Sequence, residues 1–239
     1  MVVFLSDFHV PHHNIPVVES ALRLIKKIRP HRVVLNGDMN DHFQLSRFNN
    51  TGERLETLQD EIDGGNRIRG AVRKAVPDAL IEETEGNHDS RLRGYVAQNA
   101  AALKSLRALL PEEQYHWKRY EITPHTGAGF RLRPNFLVKH GTHVRGEAGA
   151  TAKAEMAAAG ISGISGHTHR LATYRKVGYQ TMQWTEQGCL CRLDPEYITG
   201  MPNWTNGVVV GQFSTRSDCF VVEEVQAFND KLVYGGKSV

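Results

Sequence analysis

Val2-Val3-Phe4-Leu5-Ser6-Asp7-Phe8-His9 sets a short, β-branched apolar run before an acidic and an imidazole side chain, and Arg32-Val33-Val34-Leu35-Asn36-Gly37-Asp38 repeats that arrangement. Each run has the length and residue types of a buried strand. Between them, Val17 to Ile28 places Val18, Leu22, Ile25 and Ile28 at the 3.6-residue period of an amphipathic helix, and Arg29-Pro30 stops it. The three pieces form a βαβ unit. A parallel crossover is nearly always right-handed, so the carboxyl ends of both strands leave the sheet at one edge, where open α/β folds bind ligands. Asp7 and Asp38 are therefore expected to meet.

The same alternation continues outward. Leu55 to Val76 reads as a basic helix interrupted at Gly64-Gly65, and a strand around Ala79-Leu80-Ile81 precedes Glu85-Gly86-Asn87-His88-Asp89. Arg91 to Leu110 reads as a helix stopped by Pro111. Phe130-Arg131-Leu132 and Asn135 to Lys139 read as strands, the second delivering His140-Gly141. Ala148 to Ala159 reads as a helix capped by Gly160, and Ile161 to Ser165 leads into Gly166-His167-Thr168-His169. Beyond Arg170 the pattern shifts to alternation in Tyr174 to Val177, Gly178 to Trp184, Val208 to Phe213 and Phe220 to Val225, which predicts an antiparallel C-terminal half. No repeat, low-complexity linker or composition break divides the chain, so residues 1–239 are expected to form one domain.

Composition narrows the function classes. With 239 residues, 40% apolar and 23% charged, the chain is neither disordered nor fibrous, and it needs no disulfide or zinc staple to fold. Cys189, Cys191 and Cys219 are an odd number at spacings that fit no disulfide framework, so they read as reduced thiols without a role. No run approaches the ~20 apolar residues of a membrane span, and the first residues lack a secretory signal, so a cytoplasmic protein is expected. A net charge of +3 favours phosphate-bearing partners without establishing nucleic-acid binding. The informative count is 12 histidines.

Five strand ends carry polar donors: Asp7-x-His9, Gly37-Asp38-x-x-Asp41, Gly86-Asn87-His88-Asp89, His140 and Gly166-His167-x-His169. Nitrogen and oxygen donors without thiolates suit zinc, iron or manganese. The one-residue gaps in Asp7-x-His9 and His167-x-His169 would put both side chains on one side of an extended segment. Gly37, Gly86 and Gly166 stand where a missing Cβ permits a positive φ or a close backbone approach.

This ordered series resembles the calcineurin-like metallophosphoesterase superfamily over residues 7–169. The resemblance implies an α/β fold, a four-layer sandwich of two mixed β-sheets flanked by helices. It also implies a phosphomonoesterase or phosphodiesterase in which a hydroxide bridging two metal ions is the nucleophile. Asp7, His9, Asp38 and His169 would hold one ion and Asp38, Asn87, His140 and His167 the other, with Asp38 bridging; manganese serves in vitro, with iron and zinc as alternatives. His88 would stabilise the transition state or protonate the leaving oxygen, and Asp41 would orient it.

Other residues have plainer readings. Asp89 is expected to cap the helix starting at Ser90 or Arg91. His12, His13, His42 and His143 read as solvated loop residues that could line the rim, and His31, His116 and His125 as structural or exposed. Arg67, Arg69, Arg73 and Lys74 read as a solvated helix face. Arg91 and Arg93 are candidates for gripping a phosphate. Tyr174 and Trp184 are expected in the core. The substrate is expected to be a small phosphate ester; the alternatives are a nuclease or nucleic-acid end-processing phosphatase, which would show steep salt dependence, and a non-catalytic module on the same fold, which would lack ligands. None is missing. The protein serine/threonine phosphatases carry Arg-Gly after the acidic pair and Glu after Asn-His, whereas His42-Phe43 and Asp89 stand here, which speaks against a phosphoprotein substrate.

Overall fold

The computed structural model describes residues 1–46, 56–179, 181–194, 200 and 202–239. In chain order its elements are β1 (Val2–Leu5), α1 (Ile15–Ile28), β2 (Arg32–Asn36), α2 (Leu58–Ala75), β3 (Leu80–Thr84), α3 (Arg91–Asn99), α4 (Pro111–Gln114), β4 (Ile122–His125), β5 (Phe130–Arg133) and β6 (Phe136–Val138). They continue with α5 (Ala150–Ala159), β7 (Ser162–Ser165), β8 (Leu171–Lys176), β9 (Met182–Gln187), β10 (Gly207–Phe213), β11 (Phe220–Phe228), β12 (Lys231–Tyr234) and β13 (Lys237–Ser238). One mixed sheet has the order β13-β12-β11-β10-β1-β2-β3-β4 and the other β5-β6-β7-β9-β8. Strands β1, β2, β3 and β4 run parallel, with Leu5 opposite Leu35 and Asn36 opposite Thr84, so their polar ends come out together.

Alternation along the strands builds the layers. Val3, Leu5, Val33, Leu35 and Ile81 pack with Val17, Leu24 and Ile25 of α1 and Ile62 and Val72 of α2. Their neighbours Val2, Phe4, Val34 and Val209 face Phe136, Val138 and Ile164 of the second sheet. On that sheet's far side, Ala152 and Met156 of α5 cover Trp184. Helices, sheet, sheet and helix make the four-layer α/β sandwich that the resemblance implied. Among the described residues no helix is long and apolar enough to cross a membrane.

Several local readings need correction. Helix α2 runs straight through Gly64-Gly65, because the two missing side chains let it press against Val10 and Asn40, where a Cβ would collide. Its expected start at Leu55, and residue 180 of the expected strand Gly178 to Trp184, lie outside the described residues. The helix expected to reach Leu110 ends at Asn99 and gives way to 3₁₀ turns at Ala101–Ser105 and Arg107–Leu109. Leu103, Leu106 and Leu110 are exposed there, so no apolar face is buried to sustain the α-helix. Pro111 instead opens α4 from the first turn, where its missing N–H is harmless. Strand β4 was not expected, since Ile122-Thr123-Pro124-His125 has no apolar run, and its proline is tolerated at the sheet edge. The C-terminal strands are antiparallel in the pairs β8–β9 and β10–β11, but β9 lies parallel to β7.

The basic face of α2 is only partly solvated. Arg67 and Lys74 are exposed, and Arg73 donates to the carbonyls of Tyr120, Pro77, Ala79 and Glu121. Arg69 is fully buried, gripping Glu83 of β3 with Nε–Oε2 at 2.8 Å and Nη2–Oε1 at 2.6 Å and lying over the Tyr115 ring. A buried bidentate pair tolerates loss of both partners better than loss of one. Arg69→Met should therefore lower unfolding free energy by about 3–5 kcal/mol in denaturant titration, and Arg69→Met with Glu83→Leu should recover most of it.

Candidate metal centre

The strand ends converge through an unusual backbone. Asp7, His9, Asp38, His167 and His169 have φ of 54°, 49°, 52°, 69° and 58°, in the left-handed region. The two one-residue-gap pairs therefore converge by left-handed turns and not on the extended segments expected from their spacing. Each such non-glycine residue costs on the order of 1–3 kcal/mol and is held only where its surroundings dictate it. The surroundings are main-chain bonds from Asp7 N to Gly37 O (3.1 Å), His9 N to Asp38 O (2.9 Å) and Val10 N to Met39 O (3.0 Å). Gly86 backs directly onto the Asp38 carboxylate and Gly166 onto Ser6 and Asp7, where a Cβ would overlap them.

The donors form linked clusters. Asp7 Oδ1 lies 3.2 Å from His169 Nε2, which is 3.0 Å from His9 Nε2. Asp38 Oδ2 lies 3.6 Å from His9 Nε2 and 3.1 Å from His140 Nε2, and the latter is 3.1 Å from Asn87 Oδ1. His167 completes a group with Asp38 and His140. All seven sequence-predicted donors thus come together, with Asp38 between the two groups. Asp7, His9, Asp38, His140 and His169 are buried, His167 is half-buried and Asn87 is exposed to the cleft.

Hydrogen bonds behind the rings fix which nitrogen faces inward. His9 Nδ1 donates to Asp41 Oδ1 (3.2 Å) and His140 Nδ1 to the Asn36 carbonyl (2.9 Å), so both turn Nε2 to the cluster. Imidazole Nε2 atoms and carboxylate oxygens then point at shared spots, where the buried carboxylates call for positive charge. Burial opposes ionisation of Asp7 and Asp38, but His169 beside Asp7 and His140 beside Asp38 outweigh it and hold both carboxyls well below the usual range. Burial likewise opposes charge on His140, yet Asp38 pushes it up to about 10. A metal ion would supply the same positive charge with N and O donors suited to it.

His88 stands beside His9 and Asp38, close enough for the three to form a further donor group, and Asp41 holds its ring from behind. Its ring stands edge-on to His9 at 4.4 Å, and Nδ1 faces the Asp41 carboxylate at 3.0 Å and the Asp41 carbonyl at 2.9 Å. Both partners are acceptors, so Nδ1 carries the proton and Nε2 faces Arg91 Nη2 at 3.2 Å. Arg91 Nη1 also donates to the Asp41 carbonyl (2.8 Å). Arg93, by contrast, turns away and pairs with Glu85 at 2.7 Å. A cavity of about 390 Å³ opens here, lined by the cluster, His88, Arg91, Phe43 and Trp204.

Sequence reasoning missed several supporting residues. Asp89 does not cap α3, whose N-cap Ser90 makes no side-chain cap bond. Its buried carboxylate accepts instead from the main-chain N–H groups of Asp38 (2.7 Å), Gly86 (2.9 Å) and Asn40 (3.3 Å), tying two donor loops together. Burial, with Asp38 and Glu83 nearby, pushes its pKa up to about 6. Buried Glu186 accepts from Thr168 Oγ1 (2.6 Å) and from Gly149 N and Ala152 N, anchoring the His167-Thr168-His169 turn to the start of α5. An acidic residue inside an otherwise buried strand was the available signal. Trp204 packs edge-on against His169 at 4.2 Å and had none.

The histidines flanking the motifs do not line the cavity. His42 is buried, stacked on Tyr115, and burial holds its pKa down to about 4, so it is not a solvated residue. His143 pairs with Glu155, and His12 and His13 are half-buried. His31 and His116 are exposed and His125 stacks on Phe130. Trp184 is in the core as expected and Tyr174 packs at its edge. Cys189 and Cys191 are buried free thiols, with Cys191 Sγ 3.7 Å from His169 Nδ1, and Cys219 is exposed.

No family model matches the chain. Among curated proteins it is similar to the "Gene 54 protein" of Mycobacterium phage D29, 26% identical over 226 residues and covering 86% of each chain, and to the "Gene 54 protein" of Mycobacterium phage L5, 27% identical over 224 residues with the same coverage. Among solved structures, Vps29 of Chaetomium thermophilum aligns over 94% of this chain and 96% of its own, at 11% identity and a TM-score of 0.43. The two mixed sheets flanked by helices and the buried His/Asp cluster at the strand ends are what the resemblance to the calcineurin-like metallophosphoesterases implied.

Proposed function

We propose that this chain hydrolyses phosphate esters with two metal ions bound at the strand-end cluster. The observation that carries the reading is the Asp38 carboxylate, buried between His9 Nε2 and His140 Nε2 with a second donor group on either side. Asp7, His9, Asp38 and His169 would hold one ion; Asp38, Asn87, His140 and His167 would hold the other. Manganese, zinc and iron all suit these donors. Such a pair, when bound, activates water at neutral pH and neutralises charge on the phosphoryl oxygens.

The chain's own residues supply the rest. His88, held at Nδ1 by Asp41, turns Nε2 toward the cavity; as an imidazolium it donates that proton to the departing ester oxygen while Asp41 stabilises its charge. Arg91 stands beside His88 Nε2, where its guanidinium can pair with an anionic substrate oxygen. Phe43 and Trp204 wall the cavity and limit water around the reacting group.

Incubation of the purified chain, chelated and then resupplied with Mn²⁺, with an aryl phosphomonoester, an aryl phosphodiester and short single-stranded DNA tests the reading, with Asp38→Ala as the blank. Metal-dependent cleavage absent from the blank supports it, and the preferred compound separates a small-ester enzyme from a nuclease. A folded, metal-loaded protein that cleaves none of them overturns it. His88→Ala should retain both ions by elemental analysis while kcat falls roughly 10²–10⁴-fold; loss of an ion would make His88 a ligand instead. Arg91→Ala should raise KM more than it lowers kcat, and unchanged steady-state kinetics would remove Arg91 from substrate binding.

A further inference from the structure

The cavity at the cluster does not end at Arg91. A second one, of about 600 Å³, adjoins it and shares Ser46, Asn87 and Arg91 in its lining. It runs along α3, where Ser90, Arg91, Gly94, Tyr95 and Gln98 recur at helical spacing on one face. Its volume falls within the roughly 300–1,000 Å³ of pockets that enclose organic ligands, far more than a phosphoryl group requires.

The lining is selective in its chemistry. Among the described residues Arg91 is the only charged side chain, and it stands at the junction with the cluster; the rest offer amides, two serine hydroxyls, a leucine and one aromatic ring. Tyr95 is 48% exposed, so its ring is available to a ligand. Gly94 leaves open space, with no atom within 4 Å of where a Cβ would sit. Among the described residues the lining offers a polyanionic strand no further cation for its next phosphate. A neutral, flat, hydrogen-bonding group fits: its face stacks on Tyr95 and its polar edge meets Gln98 and Asn99.

We propose that this second cavity is the leaving-group subsite and that the substrate is a nucleoside phosphate, with its phosphate at the donor cluster and its nucleoside along α3. The assignment rests on the hydrolase reading for its catalytic consequence, but nucleoside binding itself does not. Hydrolysis adds water across the P–O bond: oxygen from water bonds to phosphorus, the nucleoside oxygen leaves with a proton from His88, and nucleoside and inorganic phosphate result.

Two arms test it on the full-length chain. In the first, adenosine is titrated calorimetrically into metal-free protein. Saturable binding is expected, weakened about 5- to 150-fold by Tyr95→Ala, the range for one aromatic stacking on one base, and at least tenfold by Gly94→Leu. Leucine is a good helix former at this position, so its effect is not that of unfolding. In the second arm, adenosine 5′-monophosphate and glycerol 1-phosphate, both primary alkyl esters, are compared with Mn²⁺ present. Wild type should favour the nucleotide at least tenfold in kcat/KM, and Gly94→Leu should collapse that ratio. Equal hydrolysis of both esters without adenosine binding overturns the subsite and leaves the hydrolase reading standing. Adenosine binding that depends on Gly94, with no ester cleaved, supports the subsite and removes the hydrolase. Faster cleavage of a trithymidylate than of the mononucleotide overturns the assignment in favour of a strand-binding site.

Discussion

Two buried carboxylates, Asp7 and Asp38, face imidazole nitrogens at the polar edge of the first sheet, and the surrounding structure is organised around offsetting that charge. A carboxylate removed from water is expensive unless positive charge and hydrogen bonds replace its hydration. Asp7 is served by His169, Ser6 and the main-chain N–H of His167. Asp38 is served by His140, His9 and the N–H of His88. These partners come from strands and loops distant in sequence, so the cluster exists only once both sheets have formed.

Charge balance also explains the backbone. Left-handed φ at five donor-bearing residues is a local expense, and the Asp89 carboxylate helps hold it by accepting from two of the loops at once. Asp89 is itself buried, and burial first, then the negative charge of Asp38 and Glu83, pushes its pKa up to about 6. Further out, Arg69 and Glu83 place a closed ion pair beneath the same region, and Asp89 feels both. Glu186 performs the equivalent task on the second sheet by fixing Thr168 between His167 and His169.

What was readable in the sequence follows from range. Strand β1, helix α1 and strand β2 announce themselves by local period, and their parallel pairing places Asp7 near Asp38 without any contact information. The donors were legible because each closes a strand. Arg69 was misread because a basic residue on a helix looks the same whether it meets water or a glutamate on a strand. Asp89 was misread as a cap because its acceptors sit in loops around Asp38 and Gly86, and a cap is the nearest local use for an aspartate before a helix. The end of α3 was misplaced because Leu103, Leu106 and Leu110 keep a helical period with no layer to cover them.

The geometry at His88 links orientation to proton position. Two acceptors at Nδ1, the carboxylate and the carbonyl of Asp41, fix the tautomer, and they leave Nε2 as the atom that can exchange a proton with a ligand. Arg91 donates toward that same nitrogen while anchored to the Asp41 carbonyl. The carbonyl that accepts from His88 Nδ1 therefore also sets where the Arg91 guanidinium lies relative to Nε2. Asp41 thus orients the imidazole through its carboxylate and holds the guanidinium through its carbonyl. One residue therefore sets both the direction in which the imidazole presents Nε2 and the place of the guanidinium beside it.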